Sequence, residues 1–146
     1  MNPLSERYEK IVSWCDQLEE ASYDCYKVFP AVAEENLLQW EQSHGFRLPE
    51  GLRNWYLLSN GYDMSSTADI LPLSSITEFS YIDELKPCFI VGHYIGDGSM
   101  LVIDDKGNFY EFDHGYHKLY PMQFETFLDR WILSRLEDCM YEAGLR

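Results

Sequence analysis

Met100-Leu101-Val102-Ile103-Asp104-Asp105-Lys106-Gly107-Asn108-Phe109-Tyr110-Glu111-Phe112 is the stretch on which the fold turns. Two β-rich runs, Met100 to Asp104 and Phe109 to Phe112, flank Asp105-Lys106-Gly107-Asn108, where glycine supplies the positive φ of a tight hairpin. Immediately upstream the arrangement repeats: Phe89 to Tyr94 leads through Gly96-Asp97-Gly98-Ser99 into the first of those runs. Three β-rich runs joined by two tight turns predict an antiparallel meander. A further short strand is expected at Lys118 to Tyr120. Ile70-Leu71-Pro72-Leu73 reads as another, confined to a sheet edge because proline has no N–H to give a ladder.

Outward from the meander the period changes from two to 3.6. Phe124, Phe127, Leu128, Trp131, Ile132, Leu136 and Met140 form one apolar stripe, which predicts a helix from about Gln123 to Tyr141. Tyr8, Ile11, Val12, Cys15 and Leu18 give a first helix at the other end, capped by Asn2 or Ser5. The pattern breaks around Ser22 to Pro30, and Phe29-Pro30 reads as extended connection. A second helix is expected from Ala33 to His44, with Leu37, Leu38 and Trp40 inward and Gly45 as its stop. A third opens at Pro49, runs through Leu52, Trp55, Tyr56 and Leu58, and ends at Asn60-Gly61. The polar stretch Asp63 to Asp69 then crosses the surface. Helices first, strands next and a helix last define an α+β class: one domain over residues 1–146, its antiparallel sheet flanked by N-terminal helices and a long C-terminal helix.

Composition narrows the function. Eleven Lys and Arg against 25 Asp and Glu leave a net charge of −14, and residues 1–73 and 74–146 carry −7 each. So even a spread makes a negative field over a folded surface; it disfavours nucleic acid and anionic membrane and suits a basic partner. The N-terminus has no basic segment leading into an apolar run, and the longest apolar runs are four residues, so a cytoplasmic location is expected. Cysteines 15, 25, 88 and 139 have no C-x-x-C pairing and read as reduced thiols.

The motifs that carry chemistry elsewhere are incomplete here. Ser99 in Gly96-Asp97-Gly98-Ser99-Met100-Leu101 lacks the second glycine of a nucleophile elbow, and the loop lacks the lysine and helix of a phosphate cradle. Asp97, Asp104, Asp105 and Asp113 read as solvated turn carboxylates, because Lys106 interrupts any calcium-loop spacing. Asp113-His114-x-x-His117 is the best metal or acid-base candidate, yet its histidines flank Gly115 in a loop with no third ligand nearby. His44 and His93 have no partner in sequence. No catalytic, cofactor-binding or metal-binding residues are assigned. Twenty-three aromatic residues exceed the needs of a core this size, and those beside acids in loops suit partner contact: Tyr62, Asp63, Asp69, Asp113 and Tyr116.

The chain also resembles the SUKH superfamily, which includes fungal cell-wall assembly regulators and many bacterial toxin-immunity proteins. The residues that carry the likeness are Glu41, Leu48-Pro49-Glu50-Gly51-Leu52, Leu58-Ser59-Asn60-Gly61 and Ile70-Leu71-Pro72-Leu73. Ile95-Gly96-Asp97-Gly98-Ser99, Leu101-Val102-Ile103-Asp104, Gly107, Tyr110-Glu111 and Phe124-Glu125-Thr126-Phe127-Leu128 follow in the same order. Together they span Pro30 to Leu128; the helix and connection of residues 1–28 are an addition, and His93-Tyr94 before the Gly-Asp-Gly loop is a departure. The resemblance implies an α+β domain without catalytic residues or cofactor. In bacteria it implies an immunity protein that binds and neutralises a cognate toxin, often a nuclease with a basic face. The alternatives are a scaffold or regulatory domain that recruits cellular proteins and, third, a small-molecule-binding domain.

Overall fold

The computed structural model describes residues 3–22, 27–63, 68–79, 87–94, 98–113 and 115–146. Along these the chain runs α1 (Pro3–Glu20), β1 (Lys27–Val28), α2 (Glu34–His44), α3 (Glu50–Tyr56), β2 (Tyr62–Asp63) and β3 (Ala68–Ile70). A 3₁₀ turn (Leu73–Ser75) precedes β4 (Thr77–Glu78), β5 (Cys88–Tyr94), β6 (Ser99–Asp104), β7 (Phe109–Asp113) and β8 (Lys118–Met122). The chain closes with α4 (Phe124–Phe127), a π-helical turn (Leu128–Leu133) and α5 (Ser134–Glu142). Every strand pairing is antiparallel, in the order β1-β2-β3-β5-β6-β7-β8, with β4 lying against β5. The expected α+β architecture is therefore present, and the meander β5 to β8 is its centre.

The helices share one core with one sheet face. Leu4, Ile11, Trp14, Cys15 and Leu18 of α1 are buried with Ile70, Val91, Leu101 and Ile103 of the sheet and with Phe124, Phe127, Leu128, Ile132 and Leu136 of the C-terminal helix. Each such large side chain contributes about 1.5–3 kcal/mol, so α1 is part of the domain's core. Arg7 clamps the Asp129 carboxylate with two bonds of 2.7 and 2.9 Å, and the Tyr8 ring meets Trp55 edge-on at 5.7 Å. Leu133 and Cys139, which the 3.6-residue stripe leaves out, are also buried. Leu133 closes the π turn, in which Leu128, Trp131 and Ile132 are buried too. The opposite sheet face carries a smaller cluster, Cys88, Val102 and Phe112, with Ile90, Met100, Tyr110 and Leu119 packed at its margin.

Several local expectations change. Helix α1 begins at Pro3, so Ser5 lies inside it rather than capping it, and Asn2 falls outside the described residues. Residues 27–28 form strand β1 rather than plain connection. Gly45 does end α2, with φ +78, but Leu38 is 48% exposed: α2 seats itself through Leu37 and Glu41, and position 38 lies about 100° round the helix from 37. Helix α3 stops at Tyr56, and Asn60-Gly61 is a separate turn. There Asn60 Oδ1 accepts the Leu73 N–H at 2.9 Å, and the Gly61 carbonyl accepts Ser59 Oγ at 2.7 Å and Trp55 Nε1 at 3.2 Å. Gly61 has φ +99, and a Cβ on it would stand 2.5 Å from the Ile70 carbonyl oxygen. Only glycine lets this turn close against β3. Finally, β3 is interior, between β2 and β5, and not an edge. It ends at Ile70, so Pro72 stands beyond the ladder and costs it no hydrogen bond.

Candidate functional site

The sheet brings three strand ends together. Strand β3 pairs Ala68 with Tyr94, β5 pairs Tyr94 with Ser99, and β6 pairs Met100 with Phe112. Asp63, Tyr94 and Asp113 therefore all stand at the same end of the strands. Loops gathered at one end of a rigid sheet are the usual location of binding residues. All five contact residues selected from the sequence lie there.

They do not play equal parts. Asp63 stands opposite Asp69 across β2 and β3, Asp69 opposite His93, His93 opposite Met100, Met100 opposite Phe112, and Phe112 opposite Leu119. With neighbouring strands about 4.8 Å apart, this row extends roughly 24 Å, comparable to one side of an ordinary protein interface. Asp63 is exposed. Asp69 is half-buried and accepts both the backbone N–H of His93 at 2.8 Å and its Nδ1 at 3.0 Å. The hydrogen bond to Asp69 holds the His93 pKa above its ordinary value, although burial opposes the rise. His93 thus has a partner that no sequence spacing could show, because the two residues meet only through the β3–β5 register.

Tyr62 is a correction. Its neighbour Asp63 faces out, but period-two alternation turns Tyr62 into the core, where it is 1% exposed and its hydroxyl lies 3.7 Å from Cys15 Sγ. It can touch no partner. Asp113 closes the β7–β8 turn: its Oδ1 accepts the backbone N–H of Gly115 at 2.9 Å and of Tyr116 at 3.2 Å. Tyr116 at the tip is 76% exposed. Lys118 stands opposite Asp113 in the ladder and is exposed.

Of the other chemical candidates, Ser99 is buried. Asp104 is not a solvated turn carboxylate: it is buried and accepts the N–H groups of Lys106 and Asn108, the Asn108 amide and the Tyr110 hydroxyl. Burial alone would raise its pKa, but those hydrogen bonds outweigh it and hold the carboxyl below the usual range. His44 stacks on Trp40 at 3.8 Å. Burial pushes the Cys15 and Cys88 thiols up to about 11. Cys139 is buried as well. Cys25, Gly96, Asp97 and His114 lie outside the described residues. Among the described residues no three His, Cys, Asp or Glu side chains converge as metal ligands. No described helix is long and apolar enough to cross a membrane. A groove of about 650 Å³ opens at the far end of the sheet, and its carboxylates Glu50 and Glu125 stand in the first turns of α3 and α4, where the helix dipole favours an acid.

Residues 31–130 match the family model described as SMI1 / KNR4 family (SUKH-1), nearly the span of the sequence resemblance. A comparison with curated proteins found no match. The match begins after β1, so α1 lies outside it while packing into the same core.

Proposed function

The chain belongs to the SMI1 / KNR4 family (SUKH-1), and from that membership we propose that it is a non-enzymatic immunity protein that binds and neutralises a cognate toxin. The toxin of best fit is a nuclease-type enzyme with a basic face, engaged in the cytoplasm. The observation that carries this reading is the charge: a chain of this family bearing −14, spread evenly along its length, attracts a cationic protein and repels nucleic acid. The exposed Asp63 and Tyr116, with the partly exposed Met100 and Leu119, supply acidic, aromatic and apolar groups for such a contact.

The test is co-precipitation from the native host, with the partner identified by mass and its toxicity measured with and without this protein. An enzyme with a basic face, silenced on binding, supports the reading. A non-toxic cellular partner that keeps its activity would replace immunity with the scaffold alternative.

A further inference from the structure

We propose that Tyr116 is a recognition knob that enters a pocket on a basic protein partner, while Asp113 and His117 to either side of it hold its backbone in position. The proposal rests on the immunity reading and assigns its contact. Tyr116 is the most exposed large apolar side chain among the described residues, at 76%, and no described residue hydrogen-bonds to its hydroxyl or stacks on its ring. Among the described residues the fold thus gains little from this ring, whereas tyrosines are enriched among interface anchors.

The backbone beneath it is fixed at two points. Asp113 accepts two N–H bonds from the turn, and His117 takes φ +52, a left-handed conformation uncommon for any residue with a side chain. The His117 ring meets Phe112 edge-on at 5.9 Å and so ties the turn back to the sheet. Local strain kept at an exposed turn, beside an unused aromatic, lowers the ordering cost of binding and does nothing for the core. The occupant is a basic protein. A second copy would bring another −14 to the contact, and strand addition at the adjoining β8 edge is opposed by Lys118 and Pro121.

The experiment places the photo-crosslinking residue p-benzoylphenylalanine at position 116 and, as controls, at exposed positions 38 and 141, in the native host. The captured protein is then purified and its dissociation measured. Position 116 should capture a protein with a basic face. Tyr116→Ala should raise its dissociation rate about 30-fold with the melting temperature unchanged. Asp113→Ala should also speed dissociation, while Asp113→Asn, which keeps the same acceptor oxygen, should restore it. Capture at 38 or 141 without capture at 116, or dissociation unaltered in Tyr116→Ala, overturns the knob and leaves the immunity reading standing. Capture at 116 of a protein without toxic activity overturns the immunity reading and leaves the knob. No capture at any position overturns both.

Discussion

Glu41→Ala removes the acceptor on which the entry into α3 is built. Glu41 is 9% exposed; one carboxylate oxygen takes the Leu48 N–H at 2.8 Å and the other faces Arg53 Nε at 3.4 Å. The Arg53 side chain is itself 8% exposed, and its other ion-pair partner among the described residues is Glu34, 3.7 Å away and 68% exposed. Alanine at 41 therefore leaves a buried N–H unsatisfied, which costs about 1–3 kcal/mol, and leaves a buried guanidinium with one weak surface pair. Breaking a buried pair by deleting one partner costs about 3–5 kcal/mol, a large share of the ~5–15 kcal/mol that holds a domain. Glu41→Gln keeps an oxygen for Leu48 and should lose about half as much. Urea denaturation of Glu41→Ala, Arg53→Ala and the double variant measures the coupling. A loss under ~1 kcal/mol in Glu41→Ala, or additive single losses, would refute the reasoning.

The pair His93 and Asp69 gives a pH dependence. The folded pKa of His93 is raised by Asp69, so its contribution is complete below the unfolded value of ~6.5 and is lost as pH rises through the folded pKa. Asp63 stands opposite Asp69 from β2 and brings a further charge to the row. For a half-exposed pair the effect is about 0.2–1 kcal/mol, seen as a decline in urea midpoint from pH 6 to 8 that His93→Gln abolishes. Gly61→Ala should cost more than ~1 kcal/mol, since its Cβ would meet the Ile70 carbonyl and its φ of +99 disfavours any side chain; a neutral outcome in thermal melts would contradict that close approach. All four thiols should titrate as free after denaturation. In the native protein Cys15 and Cys88 should react slowly with a disulfide reagent, because burial raises both to about 11.

The parts of this fold governed by local chemistry were legible in the sequence. Gly45 stops α2, the meander strands lie within two residues of expectation, and the C-terminal stripe is a helix, because turn glycines and hydrophobic period act over a few residues. What depends on register was not legible. The pairing of His93 with Asp69 and the interior place of β3 follow from which strands lie side by side, and no local signal encodes that. The buried pair of Arg53 with Glu41 joins α3 to α2, and no spacing within either helix encodes it. Asp104 sits where any turn acid would, yet its neighbours' N–H groups make it structural. At the candidate surface the sequence identified the exposed members, Asp63 and Tyr116, and could not tell that Asp69 and Asp113 are occupied within the fold.

The most direct test of recognition through a negative field is the association rate with the captured toxin as ionic strength rises from low to high. Steering by −14 gives a kon that falls about 10-fold or more, with koff changing little and Asp63→Asn lowering kon at low salt only. A kon that does not respond to salt, or a partner whose contacting face is acidic, would contradict it and reduce the charge to a matter of solubility.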